Sequence, residues 1–500
     1  MSDTQTNLVK RVVIAGGGTA GWIAAAGLSH HLGPALEITL IESDTIGTVG
    51  VGEATIPTQR TFHAHLGLRE ADFMKATGAT FKLGIEFEGW LKPGHRYIHS
   101  FGTLGRHTWV APFHHLWLHA KSRGFGGSLD DYCLELKAAR ADKFYTAPDK
   151  SVLNYAYHLD ATAYARFLRA FSEQKGVRRV EGLIEHVEQS SETGFIEALK
   201  LQSGERIEGD LFIDCTGFRG LLIEQALKTG FDDWSDWLPM NAAVAAQSEA
   251  TGPAIPYTRA IAHEGGWRWR IPLQHRVGNG IVFDSNYLDP DEAEKKLRDA
   301  IDGPLRTDPR LIRFRTGRRK RAWNKNCVAL GLSGGFLEPL ESTSIHLIQR
   351  GVADLVALFP YHGVTEDLAN LFSRKMNREL EQVRDFLILH YKLTEREDSD
   401  FWRGRKAMDI PDTLAERIAL FRESAYAYHN CDELFLTDSW VQVMMGQGLY
   451  PTGWHAVGHM FPDDKLKGAL DGQRAQIERA VQQLPAHEDF VRQYCPVTPA

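Results

Sequence analysis

Arg11-Val-Val-Ile-Ala15, Gly16-Gly-Gly-Thr-Ala-Gly21 and Trp22 to Leu32 read as a buried parallel strand, a tight glycine turn and an alanine-rich helix. The turn fits GxGxxG in the context that the motif requires, between a strand and a helix. Glycine lets the chain turn sharply and lets a pyrophosphate approach the backbone. Free N–H groups at the helix start then hold that anion. Glu37-Ile-Thr-Leu-Ile-Glu42 reads as the second strand, and Glu42 ends it at the usual distance for a carboxylate that accepts from ribose hydroxyls. The stretch predicts an α/β fold that binds a dinucleotide. The motif alone does not separate FAD from NAD, and its place near the start of the sequence leans towards FAD. Lys10-Arg11 before the uncharged run Val12 to Ser29 imitates a signal peptide or a short membrane span. The glycines and the lack of a cleavage pattern favour the dinucleotide reading.

The chain has 500 residues, enough for about two to three modules with a large core. Hydrophobic residues at 43% and charged residues at 24% exclude a disordered chain, a collagen-like chain and a coiled-coil rod. A formal net charge of −7 disfavours nucleic acid as a partner. Cys133, Cys215, Cys327, Cys431 and Cys495 include no CxxC pair. Their spacing fits neither a zinc site nor a disulfide framework, so no metal is expected. A reducing, cytoplasmic setting is the expectation. No other run of about 18 apolar residues occurs, which predicts a soluble protein that does not cross a membrane.

Gly47-Thr-Val-Gly-Val-Gly-Glu-Ala-Thr-Ile-Pro57 is a second glycine-rich stretch. Gly47, Gly50 and Gly52 allow a flat ligand close to the backbone; a plain flexible loop is the alternative. Leu211-Phe-Ile-Asp214 reads as a strand returning to the sheet after a long insertion, and Ser203-Gly-Glu-Arg206 as a hairpin turn. Gly265-Gly-Trp-Arg-Trp-Arg-Ile-Pro272 alternates, so Trp267 and Trp269 share one face of a strand, as packed core or as a stacking surface. Six basic residues lie between Arg313 and Arg321; in an acidic protein they read as a solvated face or as arginines near phosphates. Val328 to Gly335 reads as a strand and a glycine turn, and Phe336 to His346 leads into a helix. Ser342, Thr343 and Ser344 stand at its start. Free N–H groups there can hold an anion such as a halide, or the hydroxyls simply cap the helix. From about Thr365, Met376, Leu380, Val383, Leu387 and Tyr391 recur at helical spacing, as do Leu466, Leu470, Ile477, Val481 and Leu484. These stripes predict packed helices.

In this order the pieces resemble the flavin-dependent halogenases typified by the tryptophan halogenases. The matching stretches are Gly16 to Trp22, Gly50 to Pro57, Thr80-Phe-Lys-Leu-Gly-Ile85, Asp214-Cys-Thr-Gly-Phe-Arg219, Trp267-Arg-Trp-Arg-Ile-Pro272 and Leu337-Glu-Pro-Leu-Glu-Ser-Thr343. WxWxIP is the family's own signature, and its tryptophans are similar to the pair that disfavours ordinary monooxygenation. The resemblance implies an FAD module of the glutathione-reductase or hydroxylase kind. Gly16, Gly18, Thr19, Ala20, Gly21, Glu42, Gly52, Ala54, Trp267, Trp269, Ile271, Pro272, Gly335 and Leu340 would then bind the flavin. It also implies that FADH2 from a separate reductase, oxygen and chloride or bromide yield hypohalous acid. That oxidant reaches a separate pocket holding an electron-rich aromatic ring such as an indole. Lys82 matches the lysine that hydrogen-bonds the acid or carries its halogen as a haloamine. Glu341 matches the carboxylate that assists transfer or takes the ring proton, and Ser342 helps to set their geometry. Thr343 and Ser344 match the halide site. His99-Ser-Phe-Gly102 is similar to the family's HPFG segment, so His99 and Phe101 are expected to line the substrate pocket. The side-chain chemistry agrees: a lysine donates to an oxygen acceptor, and a carboxylate accepts a proton.

The chain also departs from the family pattern. Ser344 stands where tryptophan enzymes carry glycine, and His346 where they carry tyrosine. After residue 430 the pattern that grips the amino and carboxylate groups of tryptophan is not found. Instead the chain reads Trp440-Val-Gln-Val-Met-Met-Gly-Gln-Gly-Leu-Tyr450-Pro-Thr-Gly-Trp454. Free indoles are therefore the expected substrates, with bromination easier than chlorination. Trp440, Met444 and Trp454 either line an open pocket or pack the core. An aromatic monooxygenase and a non-catalytic flavin-binding protein are the competing readings. Lys82 and Glu341 argue against both, and Trp267 and Trp269 against the monooxygenase. The expected organisation is an FAD module over residues 1–365, interleaved with substrate elements and with its core in about 1–125 and 200–360. A mostly helical substrate-side module is expected over residues 366–500. A homodimer is compatible with the sequence.

Overall fold

Val12 and Ile14 are fully buried because Arg11–Ala15 is an interior strand. In the computed structural model, which describes residues 8–46, 52–147 and 152–497, it lies between Leu211–Asp214 and Glu37–Glu42 and parallel to both. The sheet runs Trp323–Asn324, Cys327–Ala329, Leu211–Asp214, Arg11–Ala15, Glu37–Glu42, Arg178–Glu181. The short Trp323–Asn324 edge alone pairs antiparallel. A parallel strand covered on both faces needs a continuous apolar run, which is what Val12 to Ala15 supplies. The helix Thr19–Leu32 packs against Ser344–Ala357, where a Cβ on Gly27 would lie 2.4 Å from Val352. Val13, Ala15 and Phe212 join Ile196, Leu199, Leu222 and Ile223 in a separate core cluster. The expected hairpin is present: Ile196–Leu201 pairs antiparallel with Arg206–Glu208.

The fold is the expected mixed α/β type. The chain forms two compact units, each made of three segments. The first joins Met1–Thr77, Leu159–Asn241 and Arg313–Glu381; the second joins Gly78–His158, Ala242–Ile312 and Gln382–Ala500. From Glu366 onward the described residues hold helices and no strand. None of the described helices is long and apolar enough to cross a membrane.

In the second unit six adjacent strands of a seven-stranded sheet run Ala242–Ser248, Val277–Phe283, Gly266–Pro272, Thr258–His263, Gly84–Glu88, Arg96–Ser100. Neighbours are antiparallel except Thr258–His263 with Gly84–Glu88. Trp267 and Trp269 are both buried and Arg268 and Arg270 half-buried, the alternation that a pleated strand imposes. The basic run of the first unit is largely paired. Arg318 meets Asp232 at 3.1 Å and Glu381 at 2.8 Å, Arg319 meets Glu224 at 2.9 Å, and Arg321 meets Glu366 at 2.8 Å. Arg315 lies 3.9 Å from the Phe231 ring centre.

Buried histidines make the fold acid-sensitive. Burial pushes His63 down to about 3 and His487 down to about 4, and holds His158 well below its ordinary value. The unfolded chain takes up these protons near pH 6.5. The folded chain takes them up only further down. Between those values the unfolded state binds more protons, so stability rises with pH and is lost as pH falls from about 6.5 towards 4. Glu53 works in the opposite direction, because burial pushes its carboxyl up to about 7. Three depressed histidines outweigh it. By pH 5 His63 and His487 should each cost about 1–2 kcal/mol, and the thermal midpoint should lie several degrees below its value at pH 7. A midpoint unchanged across that range would contradict the assignment.

Candidate active site

The glycine turn has the geometry that a pyrophosphate needs. Gly16 sits at φ +106°, and a Cβ there would lie 2.3 Å from the carbonyl oxygen of Cys215. Gly21 lets the helix close on the turn, since its Cβ would lie 1.9 Å from the Gly16 carbonyl oxygen. At Gly18, the residue before the helix, a Cβ would meet nothing within 4 Å among the described residues. Backbone N–H groups at this helix start are therefore approachable, and a phosphate fits there. Thr19 and Ala20 open the helix. Glu42 ends its strand as expected, with one carboxylate oxygen facing Arg179 at 2.5 Å and the other accepting from the Trp22 indole at 3.3 Å. Gly52 and Ala54 are buried ends of a short strand, with Glu53 half-buried between them. Gly47 and Gly50 lie outside the described residues.

The second helix start belongs to the same unit. A short turn, Pro339–Glu341, holds Leu340 and Glu341 buried, and Gly335 lies in the short strand before it. Ser342 then adopts φ +61°, a left-handed conformation uncommon for a residue with a side chain. Thr343 precedes the helix Ser344–Ala357 but makes no side-chain cap bond. Its Oγ1 is buried with no hydrogen-bond partner among the described residues. Capping by this hydroxyl is thus not its use here, and a buried donor at a helix N-terminus suits an anion. Further along the same helix, His346 lies 2.9 Å from Thr58 Oγ1 through Nδ1 and 2.7 Å from Glu379 through Nε2.

Lys82 lies in the second unit, at the end of the strand Thr80–Lys82, and is fully buried. Its Nζ is 5.2 Å from the centre of the Phe101 ring. The two come together because the Phe101 N–H donates to the Leu83 carbonyl at 2.9 Å. His99 is buried two residues away, its ring 5.5 Å from that of Phe386. Ser100, which stands where the family has proline, donates to Gln442 Oε1 through its N–H at 3.0 Å and its hydroxyl at 2.8 Å. Proline has no N–H and would lose the first of these bonds. Trp267 and Trp269 lie 6.2 Å apart between ring centres, with Ile271 and Pro272 buried beyond them on the strand. Trp267 stacks into an aromatic core, 6.3 Å from Trp90.

Trp440 is buried. Its indole donates to the Phe435 carbonyl at 3.2 Å, and the Arg417 guanidinium lies 4.0 Å from its ring. That is the environment of a packing residue. Trp454 is half-buried. Several residues near Lys82 escaped the sequence reading. Glu135 is buried, accepts the Asn154 N–H at 2.9 Å and has its carboxyl pushed up by burial. A Cβ on Gly102 would lie 2.0 Å from its Oε2, so the HxFG segment and Glu135 lie in contact. His158 and His487 reach Thr80 and Phe81.

A family model described as tryptophan halogenase matches residues 11–463. The 7-chloro-L-tryptophan 6-halogenase of Kutzneria sp. strain 744 is 36% identical, over 96% of this chain and 98% of the relative. A solved flavin-dependent halogenase from Xanthomonas campestris is 52% identical, with a TM-score of 0.97 over 99% of this chain and 100% of the other. A flavin-dependent halogenase from Brevundimonas sp. BAL3 is 44% identical, with a TM-score of 0.94 over 98% of this chain and 100% of the other.

Proposed function

The chain belongs to the tryptophan halogenase family and is an FADH2-dependent halogenase of aromatic substrates, and on that premise we propose that Lys82 and Glu341 direct the halogen onto a free indole. A separate flavin reductase supplies the FADH2. When bound, FADH2 with oxygen and halide supplies hypohalous acid. Gly16, Gly18 and Gly21 would hold the pyrophosphate, and Thr343 with the N–H groups at Ser344 would hold the halide.

The observation that carries the reading is the burial of Lys82 beside Phe101. A buried lysine is costly to a fold and needs a purpose. Its amine can donate to hypohalous acid and hold it, or take the halogen and pass it on. The faces of Phe101 and its neighbours suit a flat aromatic ring. Glu341, buried at the turn before Ser342, would accept the proton lost as the ring regains aromaticity. The stretch from Trp440 to Trp454 supports indole over tryptophan, since the pattern of tyrosines, a glutamate and a tryptophan that grips an amino acid's ends is not found there. Bromide should react more readily than chloride because it is easier to oxidise.

Replacing Glu341 with glutamine keeps the shape and removes the base. Halogenated indole should fall about 10- to 100-fold, with FADH2 still consumed. The check is product mass spectrometry beside flavin oxidation. Product at the wild-type rate would remove Glu341 from the mechanism.

A further inference from the structure

The geometry points to His158 and His487 as a pair of neutral positioning residues that fix the strand segment carrying Lys82. The inference rests on the role proposed for Lys82. All the groups involved belong to the second unit.

Thr80 Oγ1 donates to the Pro272 carbonyl at 2.7 Å. A hydroxyl has one proton, so towards His158 Nδ1, 3.1 Å away, Thr80 can only accept. Nδ1 of His158 therefore carries a hydrogen. Its Nε2 lies 2.9 Å from Thr258 Oγ1 and, in the neutral ring, accepts from that hydroxyl. The order of donation is Thr258 to His158, His158 to Thr80, and Thr80 to Pro272. It ties the lysine strand to the end of the Trp267–Pro272 stretch.

His487 acts on the next residue by the same logic. Its Nδ1 lies 2.6 Å from the Ala254 carbonyl oxygen, which can only accept, so Nδ1 carries the hydrogen. Nε2 is then free to accept the Phe81 N–H, 3.2 Å away. Phe81 pairs in register with Tyr157, and this N–H turns to the histidine instead of the neighbouring strand. The Phe81 ring packs on the helix His487–Tyr494, 5.7 Å from Phe490 and 5.9 Å from Tyr494. Thr80 is thus held by its side chain and Phe81 by its backbone, directly before Lys82. Both histidines are buried, and His487 must stay neutral for its Nε2 to accept the Phe81 N–H. Protonation would set a new N–H against the Phe81 N–H, and at His158 a second positive charge near Lys82.

A group that transfers halogen tolerates little displacement, and small misplacements cost up to about 100-fold. The test is a comparison of purified full-length variants supplied with FAD, a flavin reductase, NADH, oxygen, bromide and indole. His158→Phe and His487→Leu remove the bridges. Each should lower brominated indole per FADH2 consumed by about 10- to 100-fold through kcat, with KM for indole within about threefold. A dimedone scavenger in the buffer should gain the bromine that indole loses. His487→Gln, which keeps a donor and an acceptor, should recover most of the yield. Thr80→Val removes only the hydroxyl and serves if His158→Phe does not fold; it should reduce the same ratio. Lys82→Ala runs beside them. Wild-type product per FADH2 in His158→Phe, His487→Leu and Thr80→Val, with Lys82→Ala inactive, would overturn the positioning role. An active Lys82→Ala would instead overturn the lysine reading on which it stands.

Discussion

Replacing Lys82 with methionine should cut halogenated product about 100- to 1000-fold while FADH2 still reacts with oxygen. Methionine copies the length and apolar stem of lysine and removes the amine. Lys82 is fully buried with Nζ 5.2 Å from the Phe101 ring centre, and the methionine chain keeps that contact. Thermal unfolding beside the wild type shows how much of the variant stays folded, so product is compared per folded enzyme. The two readouts separate the explanations. A structural lysine predicts a changed thermal midpoint and retained product per folded enzyme. A lysine that handles the oxidant predicts lost product per folded enzyme. Product mass spectrometry and thermal unfolding on the same preparation decide between them, and retained product would sink the proposed mechanism.

Replacing Gly16 with valine should abolish FAD binding and destabilise the first unit by about 3 kcal/mol or more. Two independent faults combine. The backbone stands at φ +106°, where a β-branched residue is strained. The new Cβ would also lie 2.3 Å from the Cys215 carbonyl oxygen, which belongs to the neighbouring strand ending and cannot move alone. Gly18→Val makes the contrast. Its Cβ would meet no atom of the described residues within 4 Å, so the protein without FAD should melt as the wild type does. Only the approach of the pyrophosphate is blocked, and FAD affinity should fall. Calorimetry without FAD and titration with FAD measure the two effects separately. Equal melting of Gly16→Val and wild type would contradict the geometry.

What the sequence revealed followed its range in the chain. Arg11 to Gly21 is local, and the strand, turn and helix it predicts are all present. The alternation in Trp267-Arg-Trp-Arg is local too, and both indoles are buried as a period of two requires. The left-handed Ser342 and the uncapped Thr343 could not be read, because a conformation depends on what packs around it. Partners far apart in the chain were equally hidden. Phe81 and His487 stand 406 residues apart, and Ser100 and Gln442 stand 342 apart. No spacing rule links such residues. Glu135 carried no signal either, since a lone carboxylate in a helical stretch reads as surface until its burial is known. The three-part make-up of each unit is hidden for the same reason: periodicity describes an element and says nothing about its partner.

The most direct measurement is the mass spectrum of the products from a reconstituted reaction. It contains the protein, FAD, a flavin reductase, NADH and oxygen, with bromide or chloride and with indole or tryptophan in separate tubes. The account predicts monohalogenated indole, more with bromide than with chloride, and little product from tryptophan. Efficient halogenation of tryptophan in preference to indole, or hydroxylated indole in place of the halide, would contradict it.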